Sequence, residues 1–117
     1  MIAPHLTGVS LIGAPTDVGA GVPGARMGPE ALRVAGLAQA IEAFGHPVRD
    51  CGNLAGPPNP CQPAVNGYRH LTEVAEWNRL LHDATLEQLQ DNRLPIMLGG
   101  DHCLGVGSIS AVARHCQ

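Results

Sequence analysis

The chain has 117 residues, 44% of them hydrophobic, with one Trp, one Tyr and one Phe. That length supports a single domain with a modest, largely aliphatic core. A formal net charge of −3 leaves no basic footprint for nucleic acid, and no apolar run of about 18 residues is present to span a membrane.

Met1 to His5 carry no basic, long-apolar leader pattern, so no signal peptide is expected. Cys51, Cys61, Cys103 and Cys116 fit no disulfide-rich scaffold and read as free thiols of a reducing, cytoplasmic setting. A zinc site from Cys51, Cys61, His115 and Cys116 would lack any close Cys-x-x-Cys knuckle.

Val9–Ala14 is mostly apolar, ends in a Gly-Ala pair and predicts a first strand. A glycine-rich loop follows from Pro15 to Gly28. Pro29 suits the start of a helix, and Val34, Leu37, Ile41 and Phe44 recur at helical spacing, predicting one helix over 29–44. Gly45 is its expected left-handed stop, with Pro47 behind it. Val48–Cys51 predicts a short second strand, and Gly52–His70 a long loop rich in Pro, Gly and Asn.

Thr72 is the expected N-cap of the next helix, whose buried face is Val74, Trp77, Leu81 and Ala84, closed by Asp91-Asn92. Leu94–Leu98 predicts a third strand, with Pro95 tolerable near its start. A last helix begins near Gly105–Ser108 and places Val106, Ile109 and Val112 or Ala113 on one face. Strand and helix alternate throughout. The expected fold is α/β: a partial doubly wound parallel sheet of three strands with flanking helices. With strand one between strands two and three, the crevice at the switch point is lined by the glycine loop and by the end of strand three.

Gly99-Gly100-Asp101-His102 stands at that end. Two glycines allow a sharp turn or a close backbone approach, and the imidazole behind them is a candidate ligand for Mn, Zn or Fe. Asp101, adjacent in sequence, points away from His102 on an extended backbone and suits a supporting or helix-capping role. Only fifteen residues follow His102, with no Asp or Glu and one further His, His115, so a metal site on His102 lacks most of its ligands here.

Gly19-Ala20-Gly21-Val22-Pro23-Gly24 spells a dinucleotide-binding pattern, but it starts late after the strand and Pro23 interrupts it. The phosphate-binding Gly-Lys-Ser/Thr ending is absent, since the chain has no Lys. Cys103 follows His102 directly and reads as a small packing residue rather than a nucleophile. His46, His70, His82 and His115 are scattered, and Arg26, Arg33 and Arg49 read as surface or capping residues.

Together these segments resemble the ureohydrolase family, and its arginase branch most closely. The resemblance rests on Val9–Pro15, Gly24–Leu37, Asp50–Leu54 and Leu98–Ser108, in that order and covering nearly the whole chain. Cys103 departs from the usual Ser of the family's first metal motif. The resemblance implies hydrolysis of L-arginine to ornithine and urea by a hydroxide bridging two Mn²⁺ ions. It implies His102 as one metal ligand, with Gly99, Gly100 and Asp101 shaping the site, and no catalytic residue in this chain. It also implies a homo-oligomer in the cytoplasm.

The family's later Asp-x-His-x-Asp and Asp-x-Asp motifs do not occur in this sequence. Residues 1–117 therefore read as the N-terminal segment of one arginase-like domain, ending after the helix behind strand three and inactive alone. Agmatinase or another guanidino hydrolase is the near alternative. A non-catalytic remnant that associates with a partner subunit and a nucleotide-binding half-domain are the others.

Overall fold

The computed structural model describes residues 5–117. Three strands, β1 (Gly8–Ala14), β2 (Val48–Asn53) and β3 (Arg93–Gly99), form one parallel sheet in the order β2-β1-β3. Helices α1 (Gly28–Val34) and α2 (Leu37–Ala43) connect β1 to β2, α3 (Leu71–Gln90) connects β2 to β3, and α4 (Gly105–His115) follows β3. This is the expected architecture, with β1 central and the chain leaving it in opposite directions.

Central position explains the composition of β1. Every residue from Val9 to Ala14 is buried, so the strand carries no charge on either face. Ile12 and Ala14 pack with Val18, Trp77, Leu81 and Leu104 in one cluster. Val9 and Leu11 join Leu98 in the other, with Leu37 and Ile41 of α2 against them. Alternate residues of one strand thus hold the two helical layers.

Several boundaries differ from expectation. The helix predicted over 29–44 is two helices, because Gly36 adopts a left-handed conformation (φ 88°) and ends the first. The break changes which residues face inward: Leu37 and Ile41 pack on the core, while Val34 and Phe44 are 86% and 83% exposed. Thr72 is not an N-cap. α3 starts two residues earlier, at Leu71, and left-handed His70 (φ 50°) stands at its cap without a side-chain bond to the helix. β2 runs on to Asn53, and β3 begins at Arg93, so Pro95 is its third residue rather than the second. β3 is an edge strand, where a missing N–H is tolerated.

Gly45 (φ 90°) is the left-handed residue expected behind α2, and Asp91 caps α3 as expected. Trp77 and Leu81 are buried and Val74 and Ala84 pack beside them, which is the predicted face of α3. The predicted apolar face of α4 exists, but Val106, Ile109 and Val112 are exposed; Gly107 and Ala111 are what α4 buries.

Candidate functional site

The C-terminal ends of β1 and β3 lie side by side, with Ala14 opposite Gly99. The loop leaving β1 closes over the end of β3 through the backbone. Asp101 N–H donates to the Thr16 carbonyl at 3.1 Å, and Gly100 N–H donates to the Ala25 carbonyl at 3.2 Å. Glycines make this approach possible. A side chain at Gly28 would collide with the Gly99 carbonyl, and one at Gly19 with Asp101 and Cys103. Gly100 is left-handed (φ 94°) and has the Ala14 carbonyl against it. The switch-point crevice is therefore lined by the two segments the sequence assigns to it.

Asp101 is extended (φ −78°, ψ 154°), whereas His102 already belongs to a 3-10 turn, so the two are not neighbours on one extended stretch as the sequence reading assumes. Asp101 sits at the cap of a 3-10 turn over His102–Leu104, its Oδ1 accepting from Cys103 N–H at 3.5 Å, while its Oδ2 is buried without a partner. The His102 side chain faces solvent at the start of this turn and takes no side-chain hydrogen bond among the described residues. Cys103 is half-buried beside the first core cluster. Burial pushes its thiol up to about 12, with Asp101 adding in the same direction, so it is no thiolate at neutral pH.

Two residues outside the expected site knit this rim together. Asp17 is buried; its Oδ1 accepts from Asn59 Nδ2 at 2.9 Å and its Oδ2 from Gly24 N–H at 3.1 Å. The Asn59 amide, then the Gly24 N–H, hold the Asp17 carboxyl below its ordinary 3.8. His70 Nδ1 lies 2.7 Å from the Val18 carbonyl, and its Nε2 lies 3.0 Å from Gln62 N. The glycine loop and the long 54–70 loop are thereby tied to each other. Neither role has a spacing signature, because both partners are distant in sequence. The same contact tells against an anion-cradling loop: the amide of Gly24 is already committed to a carboxylate of the chain's own.

A cavity of about 430 Å³ lies beside this clasp, lined by Asp17, Arg26, Asn59 and Trp77 among others, and His102 is not part of its wall. Among the described residues, no three His, Cys, Asp or Glu side chains converge on a point. A divalent ion takes four or more ligands. The rim therefore offers one imidazole, not a complete metal site.

This parallel α/β sheet, with a glycine loop closed over a Gly-Gly-Asp-His strand end, is the frame of a ureohydrolase-type protein. The arginase family matches residues 7–117, and the chain belongs to that family. It is 37% identical to the arginase of Agrobacterium fabrum over 105 residues, 89% of this chain and 32% of that one. It is 34% identical to the arginase of Brevibacillus brevis over 109 residues, 93% of this chain and 37% of that one. The native structure of Bacillus caldovelox arginase superposes with a TM-score of 0.85 at 33% identity, covering 94% of this chain and 38% of that one. The chain thus spans about a third of the length of the curated relatives it matches.

Proposed function

We propose that this chain is the N-terminal part of a metal-dependent amidinohydrolase that cleaves L-arginine to ornithine and urea, and that His102 is its one direct contribution to the metal site. The observation that carries the reading is the placement of His102. Its ring stands unengaged at the carboxyl end of β3, beside the switch point, on backbone pinned by Gly28 and Gly100. Side chains that bind ligands in open α/β sheets occupy this place.

Two Mn²⁺ ions are the cofactor this reading carries, with oxygen and imidazole ligands suited to that ion. The ions supply the water activation that hydrolysis of a guanidinium carbon requires. What this chain's residues do is more limited. Gly99 and Gly100 let the strand turn, and Asp101 caps the turn that holds His102 outward. Cys103 packs beneath it as a protonated thiol. Because the remaining ligands are not in this chain, residues 1–117 alone are inactive in this reading.

The test is urea release from L-arginine with Mn²⁺. This chain by itself is expected to give none, and robust turnover would overturn the incomplete-site reading. The protein extended by the rest of the arginase fold is expected to release urea and to lose that activity on His102→Ala. Preference for agmatine over arginine in that protein would move the assignment to the neighbouring branch.

A further inference from the structure

The cavity of about 430 Å³ beside the Asp17 clasp is walled by the loop behind β1, the loop behind β2 and Trp77 of α3. No residue of β3 or α4 lines it. Its shape is set in advance by the chain itself. Trp77 Nε1 donates to the Pro57 carbonyl at 2.8 Å, and Gly56 lies so close to the indole that a side chain there would overlap the ring. Pro15, Pro23 and Pro58 stiffen the backbone around the rest of the wall. Small molecules are held in preformed, partly apolar pockets with a few placed polar groups.

The charged groups on this wall are unusual. Among the described residues, Asp17 is its one acid and Arg26 its one base, and neither enters an ion pair. Asp17 is 3% exposed, and acids buried this deeply are normally paired with a cation. Its two hydrogen bonds, from the Asn59 amide and the Gly24 N–H, come from neutral groups, and its oxygens keep further acceptor capacity. Arg26 is exposed, and Glu30, about one turn beyond it, is taken by Arg33 at 2.9 Å. The Arg26 guanidinium is near enough to help hold the Asp17 carboxyl down, yet the two are not in contact. Two unlike charges thus border one space without meeting, next to an apolar side formed by Leu54, Pro57 and Trp77.

We propose that this cavity binds a free zwitterionic α-amino acid, with its ammonium on Asp17, its carboxylate on Arg26 and an apolar side chain against Leu54, Pro57 and Trp77. A lone cation would answer Asp17 and leave Arg26 beside a second positive charge. A lone anion would do the reverse. A zwitterion complements both groups at once, and the wall's own charges sum to zero as the ligand's do. The site goes beyond the hydrolase reading and does not rest on it: His102 is no part of this wall, and no metal is needed for the contacts.

Trp77 is the chain's single Trp, so its fluorescence reports on this cavity. The experiment is a metal-free titration of the full 117-residue chain with L-methionine, followed by Trp emission and by calorimetry. Saturable binding is expected. The deaminated analogue, a thioether carboxylate, and the decarboxylated analogue, a thioether amine, are each expected to bind about tenfold or more weakly. Arg26→Gln is expected to weaken methionine binding by about tenfold and to leave the amine unaffected, with circular dichroism unchanged because the side chain is exposed. No saturable signal by either method up to about 10 mM methionine overturns the proposal. So does equal affinity for either single-charge analogue, or unaltered methionine binding by Arg26→Gln. Failure of the extended protein to release urea from arginine would count against the hydrolase reading and leave this site standing.

Discussion

At the N-terminal end of the sheet, side chains from four elements meet, whereas at the C-terminal end the segments leaving β1 and β3 meet through their backbones. Ser10 of β1 donates to Gln88 of α3 at 2.7 Å and accepts from Arg93 of β3 at 2.7 Å. Arg93 also donates to the Val9 carbonyl, and Arg49 of β2 reaches Gln88 and Asp91. Arg93 is buried, and the hydrogen-bond acceptors found for it are a hydroxyl and a carbonyl rather than a carboxylate. At the other end Thr16, Ala25, Gly100 and Asp101 close the rim with main-chain bonds, and glycines remove the side chains that would obstruct them. Both ends use polar side chains to join segments, but only the C-terminal end also presents an exposed imidazole, His102, with no side-chain hydrogen bond among the described residues.

Four substitutions sharpen or break this contrast. The largest effect is expected at Gly100. Gly100→Ala combines a left-handed backbone with a collision against the Ala14 carbonyl and is expected to cost about 2–4 kcal/mol in urea unfolding. His102→Ala, two residues on and exposed, is expected to stay within about 0.5 kcal/mol. Similar costs for both would mean that the imidazole is part of the scaffold after all.

At the opposite end, Gln88→Leu strips the acceptor shared by Ser10 and Arg49 and is expected to cost about 1–2 kcal/mol by the same measurement. No loss would show that Arg93 and Ser10 hold that end without α3.

A smaller loss, with a pH dependence, is expected at the rim. The Asp17 carboxyl titrates below 3.8 in the folded chain. A lowered folded value stabilises the fold above the unfolded value, and that stabilisation is lost as pH falls through the folded one. Asp17→Asn is therefore expected to be less stable by about 1 kcal/mol near neutrality, with the gap closing as pH falls below about 3.8. Melting temperatures of both proteins across that range check the sign. A gap that widens in acid would show that Asp17 does not hold the two loops as an anion.

Much of this molecule is written in short-range pattern. The apolar run of β1, the spacing of Val74, Trp77 and Leu81, and Gly45 behind α2 are each a local choice with a local signature. Their alternation is enough to expect a parallel sheet, but that β1 is central, with the two glycine-bearing segments at one crevice, was decided by the strand order β2-β1-β3. Gly36 carried the same stop signal as Gly45, but the apolar spacing of Val34, Leu37 and Ile41 runs straight through it, and periodicity hides a one-residue break. His70 had no signal at all. Its ring bonds to Val18, 52 residues away, and nothing in its neighbours marks that.

The candidate site divides along the same line. That a turn bearing His102 follows β3 is signalled by Gly99-Gly100, so the place of the imidazole along the chain was dictated locally. Which groups support it was not. Asp17 with Asn59, and the glycines at 19 and 28 that admit the rim contacts, act between segments brought together only by folding. The same holds for the stripe on α4. Its apolar spacing is local, but whether a stripe is buried or bare depends on what packs against it. Hydrophobic periodicity specifies a face, and only the assembled layers decide what that face meets.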